Sequence, residues 1–122
     1  MSTYTIPLSN PVGTAIFVDT SSTNTAAVIS GSAGTVYTID VDNRNNSGAV
    51  YVKLWNTAAA SVTVGVTDPV IQVRCPALTR MSFTYGPNGV AFSTAISSAT
   101  TTDAGTAGTA APTNSVILRV QI

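Results

Sequence analysis

At 122 residues the chain has room for one domain, whose folding hides about two-thirds of the surface of the unfolded chain. Its charged residues are five Asp, four Arg and one Lys, with no Glu and no His, and the formal net charge is zero. Histidine-based acid–base catalysis, His/Cys zinc sites and a basic nucleic-acid footprint are excluded on that inventory, because Arg44, Lys53, Arg74, Arg80 and Arg119 are dispersed along the chain.

Hydrophobic residues make up 44% of the chain, so low charge does not signal disorder. Ser and Thr supply 33 residues, while the strong helix formers are almost absent, which predicts an all-β fold. Residues 1–11 read as an extended arm and 12–122 as one antiparallel β-sandwich, jelly-roll-like, or a barrel. The N-terminal run lacks a basic region followed by an apolar one, and no segment approaches the ~20 apolar residues of a membrane helix. No exported or membrane-bound chain is expected.

In chain order, Thr14–Asp19 and Thr25–Ile29 read as the first strands. Thr35–Val41 places Tyr37, Ile39 and Val41 on one face, and Asp42–Gly48 is a polar turn. In Ala49–Trp55, Val50, Val52 and Leu54 oppose Tyr51, Lys53 and Trp55, as in a central strand with one face turned to a partner. Val62, Val64 and Val66 alternate with Thr63, Gly65 and Thr67, and Ile71, Val73 and Cys75 with Gln72 and Arg74, predicting two more strands. Thr79–Thr84 and Val90–Ile96 flank Tyr85-Gly86-Pro87-Asn88-Gly89 and read as a hairpin. Residues 97–114 hold only small and polar side chains and read as a long loop, either a mobile excursion or a contact arm. Ser115–Ile122 is a terminal strand.

Little chemistry is on offer. Asp40, Asp42, Asn43, Asn45 and Asn46 carry oxygens at short spacing but lack the ligand order of an EF-hand loop, which fits an Asx-rich turn better than a calcium site. Serine and threonine have no histidine to activate them, and there is no Gly-x-Ser-x-Gly elbow. The single Cys75 cannot close an intrachain disulfide and reads as a small buried hydrophobe. No catalytic residue, metal or cofactor is expected. Tyr37, Phe83 and Phe92 suit a core, while Tyr51 and Trp55 are candidates for an exposed stacking platform.

Tyr37–Asn43, Tyr51–Asn56, Val64-Gly65, Pro69 and Phe92–Ser97 resemble a recurrent small structural protein of tailed bacteriophages, including cyanophages. The likeness spans about residues 35 to 122 and departs at Cys75-Pro76-Ala77-Leu78, where a Gly-containing turn is expected. It implies a virion component, in the manner of the cement or decoration proteins that sit on capsids, commonly as trimers. A neutral chain gains little solubility from charge, which agrees with an assembled working state. The expected partners are therefore further copies of itself in a homotrimer and the major capsid protein or other virion proteins, without nucleic acid or membrane. The expected place is the capsid surface after synthesis in the host cytoplasm. Tyr4 and Ile6 of the arm, Tyr51, Trp55 and Arg119 are the candidate partner contacts. The alternative is a tail, fibre or head-appendage module that binds a host glycan through Trp55 and Tyr51, or binds another virion protein.

Overall fold

The computed structural model describes residue 13 and residues 15–122, so the arm over 1–11, with Tyr4 and Ile6, lies outside the described residues. The described chain forms strands β1 (Ile16–Ser22), β2 (Ala27–Ser30), β3 (Gly34–Val36), β4 (Thr38–Asp42), β5 (Val50–Trp55), β6 (Ile71–Cys75), β7 (Arg80–Thr84), β8 (Val90–Phe92), β9 (Ile96–Thr101) and β10 (Val116–Gln121). One short 3-10 turn, Ala59–Ser61, follows β5.

Two four-stranded antiparallel sheets result, with strand orders β1-β10-β4-β7 and β2-β9-β5-β6. The short pair β3 and β8 prolongs β4 and β7 beyond a break. With β3-β4 and β7-β8 each counted as one interrupted strand, every connection except β5 to β6 passes from one sheet to the other. That interleaving is the jelly-roll arrangement of a β-sandwich, and the sheets do not close into a barrel.

Period-2 alternation sets the register. Ile39 and Val41 of β4, Val50, Val52 and Leu54 of β5, and Val116, Leu118 and Val120 of β10 all face the space between the sheets and are fully buried there. Cys75 joins this core, and burial pushes its thiol up from the ordinary value. Ser98 and Thr100 point inward too; Thr100 Oγ1 lies 2.7 Å from Ser22 Oγ, whereas Ser98 Oγ has no hydrogen-bond partner.

Four expectations are corrected. Residues 62–67 form no strand, because Gly65 takes φ +96° and the amides of Val66 and Thr67 both bond Thr63 O, which coils the segment. The segment 86–89 does not reverse the chain. Tyr85 N bonds Tyr37 O, and Val90 pairs with Val36, so β7 and β8 run one after the other along β4 and β3 while residues 86–89 loop out. The strand expected over 90–96 stops at Phe92, where Asn56 accepts from Thr94 N and donates to Ser93 Oγ. The long loop over 97–114 is in part a strand: β9 sits between β2 and β5 with all six residues buried. Its Ser, Ala and Thr side chains are small because both faces of the strand are covered.

The turn after β4 is built by amide side chains. Asn43, fully buried, donates through Nδ2 to Gly48 O and Pro76 O, both at 3.0 Å, and accepts from Asn46 Nδ2 through Oδ1. Asn46 ties this turn to the start of β10 by donating to Asn114 O and accepting from Asn114 N. Leu78, in the stretch where a glycine-containing turn was expected, takes φ +57° and donates its amide to Asn46 O.

Candidate interaction surface

The two sheets differ in what covers their outer faces. On the β2-β9-β5-β6 sheet the outward residues Lys53, Trp55, Ser97, Ala99 and Thr101 of the central strands are all buried, although alternation turns them away from the core, while Val28, Gln72 and Arg74 of the edge strands are exposed. Segment 56–70 covers one side, with Trp55 Nε1 donating to Thr67 O at 2.8 Å. Segment 102–115 covers the other, closed on itself by Thr102 N to Ala110 O and by Ala110 N to the Asp103 carboxylate. Lys53 Nζ donates to Gly108 O at 3.0 Å and pins that cover to the middle of the sheet. The covers also touch: Thr106 Oγ1 bonds Asp68 Oδ1, and a Cβ at Gly65 would meet Thr109 Cγ2.

Trp55, read from the sequence as an exposed contact, is therefore corrected to a covered side chain with 1% of its surface exposed. Its indole N–H has the backbone partner that a buried Trp needs. Tyr51 is half-buried near the sheet end, opposite Arg74 in the ladder, and among the described residues no second exposed aromatic joins it on this face. Residues 102–115 are a packed cover rather than a free excursion.

The outer face of β1-β10-β4-β7 carries no such cover among the described residues. Cross-strand register arranges it in rows: Ile16, Gln121, Thr38 and Thr84; Val18, Arg119, Asp40 and Ser82; Ile117, Asp42 and Arg80. Ile16 and Val18 are 67% and 49% exposed on β1, at the sheet edge. Asp40 accepts from Arg80 Nε at 3.0 Å and Ser82 Oγ at 2.8 Å. Asp42 accepts a forked pair from Arg44, at 2.9 Å from Nε and 2.8 Å from Nη2, and that guanidinium holds its carboxyl down at about 2.

Arg119 is the cation left over on this face. Its Nη1 lies 3.9 Å from Asp40 Oδ1, beyond hydrogen-bond distance, and has no other hydrogen-bond partner. Three arginines thus stand against two aspartates. Ile16, Thr38, Asp40, Arg119 and Gln121 line a depression of about 170 Å³. A larger cleft of about 410 Å³ lies at the sandwich end, between Gly13, Gly34, Thr35, Tyr37 and Ile122. Its lining offers hydroxyls and backbone but no acid–base pair.

Of the candidate contacts read from sequence, the structure places Arg119 on the open face, Tyr51 on the opposite sheet and Trp55 under a cover. Ile16 and Val18 were missed, although their alternation with Phe17 and Asp19 was visible. Among the described residues no group of three or more His, Cys, Asp or Glu side chains forms a metal cluster. Among the described residues no helix is long and apolar enough to cross a membrane. The chain matches no protein-family model, no curated protein and no solved structure.

Proposed function

We propose that this chain is a virion structural protein, a capsid cement or decoration protein that self-associates and clamps neighbouring capsid subunits without catalysing a reaction. The observation that carries this reading is the asymmetry of the sandwich. Among the described residues, one outer face is closed over its central strands β5 and β9 by the chain's own loops, with Val28 exposed on its edge strand β2, whereas the other is uncovered across all four strands and presents Ile16 and Val18 beside the incompletely paired Arg119. Burying such a face against another protein removes apolar area from water and sets acceptors beside the exposed part of the Arg119 side chain. The jelly roll is used by viral capsid proteins and also by lectins and cupins, so the fold supports the reading only by analogy.

The test is sedimentation velocity of the purified chain over a range of concentrations, followed by mass spectrometry and immunogold labelling of gradient-purified particles from cells that make it. Support is a species heavier than the 12.4 kDa chain, with a trimer expected, together with label on the particle surface. A monomer at every concentration, absent from particles, overturns it. The glycan-binding alternative loses its main anchor with Trp55 covered, and no other observation favours it.

A further inference from the structure

We propose that Asn88 is a site of spontaneous backbone modification, closing to a succinimide with Gly89 and reopening as aspartate or isoaspartate in the folded protein. The reaction needs an unanchored side-chain amide and an unhindered backbone nitrogen after it. It also needs a local backbone free to rotate.

The structure separates the described asparagines on the first point. Asn43 and Asn46 are locked in the turn after β4, and Asn24, Asn56 and Asn114 each donate through Nδ2 to a backbone or hydroxyl oxygen. Asn45 and Asn88 are exposed, and their carboxamides have no hydrogen bond. Asn45 precedes Asn46, whose side chain crowds the attacking nitrogen, whereas Asn88 precedes glycine.

That glycine is required by the fold. Gly89 takes φ +63°, and a Cβ there would lie 2.7 Å from Val36 O, 2.7 Å from Thr35 Cγ2 and 2.9 Å from Tyr37 Cδ1. The fold therefore fixes the least hindered partner beside Asn88. The third requirement falls to Asn88 itself: residues 86–88 form a turn outside the ladder, between the Tyr37–Tyr85 bond and the Val36–Val90 pair, so the dihedrals of exposed Asn88 can change without breaking a ladder bond while Gly89 stays packed.

In the step itself, hydroxide removes the Gly89 amide proton and the nitrogen attacks Asn88 Cγ. The new N–Cγ bond replaces Cγ–Nδ2, and Nδ2 leaves as ammonia with a proton from water. Water then adds at Cγ and breaks the N–Cγ bond to give aspartate, or adds at the Asn88 main-chain carbonyl carbon and breaks its bond to the Gly89 nitrogen to give isoaspartate, and the nitrogen regains its proton in either case. Nothing is oxidised or reduced. Each event turns a neutral side chain into a carboxylate, so a chain of net charge zero gains one negative charge.

The experiment holds the intact folded protein in mildly alkaline buffer, follows native ion-exchange chromatography, and maps tryptic peptides by mass spectrometry. Isoaspartyl methyltransferase labelling identifies the isomerised product. The expected result is a shift of one charge, exchange of ammonia for water at Asn88 before any other asparagine, and an unchanged melting temperature. Asn88→Gln removes the charge shift, and Asn88→Asp reproduces the shifted species at once. The proposal is overturned if Asn88 keeps its amide while another asparagine converts, or if the charge shift persists in Asn88→Gln. It is also overturned if Asn88 converts only after denaturation.

Discussion

Leu78 shows what a single residue costs when its backbone does not suit it. Its φ of +57° lies in the left-handed region, where a side chain with Cβ is about 1–2 kcal/mol less favourable than in the right-handed one. The side chain itself is 67% exposed and contributes little packing. Leu78→Asn should therefore stabilise the domain by roughly 0.5–1 kcal/mol in urea unfolding, since Asn tolerates this conformation. Ser98 is a second local cost, a buried hydroxyl without a partner on the inner side of β9. Ser98→Ala removes a group whose burial costs about 1–3 kcal/mol and should raise the unfolding midpoint; a lower midpoint would show that the hydroxyl is satisfied.

At the scale of elements, the pairing of Lys53 with segment 102–115 holds the second sheet closed. Its ammonium is buried with one carbonyl partner, and burial pushes its pKa below the ordinary lysine value while Asp103 opposes the shift. At Lys53 the folded state thus binds fewer protons than the unfolded state in the window just below 10.5, which raises stability with pH, while Cys75 and Tyr85, pushed up by burial, act in the opposite sense there. Lys53→Met should remove the rising contribution and leave a steeper alkaline loss, read from urea midpoints at stepped alkaline pH. Lys53→Ala should cost about 2–4 kcal/mol and speed amide exchange across 102–115, because it leaves both a cavity and an unmet carbonyl at Gly108. This contact was hidden in the sequence. Lys53 between Val52 and Leu54 marks a central strand, but nothing in 97–114 announces a packed cover, because strand β9 replaces large aliphatics with Ser, Ala and Thr. Strands with aliphatic alternation, such as β5, β6 and β10, were legible because one face of each had to be apolar. The false hairpin at 86–89 has the opposite cause: turn residues signal a bend, and a looped-out bulge uses the same residues as a reversal.

Across the whole molecule, the open sheet face and the sparse charge act together. Ile16 and Val18 sit in its outer rows and not in the core, so Val18→Asp should leave the unfolding midpoint within about 0.5 kcal/mol of the parent and lower the sedimenting mass. A fall in stability without a change in mass would place β1 outside the interface. The same scarcity of ionisable groups governs the response to acid. The chain has no His or Glu, and burial pushes the Cys75 thiol up, so the melting temperature should be flat between about pH 5 and 8. Below it, Asp42 dominates. Its carboxyl, at 3.8 in the unfolded chain, is held at about 2 by Arg44, so the folded state binds fewer protons between those values. The stability this pair contributes is complete above the unfolded value and disappears as pH falls toward 2. Asp42→Asn should lower the plateau and flatten the acid limb, whereas Asp68→Asn, which leaves the Asp42–Arg44 fork intact, should keep that limb. A steep acid limb that survives in Asp42→Asn would assign acid sensitivity to Asp103, whose carboxyl the Ala110 amide holds down, or to the oligomer contacts rather than to this fork.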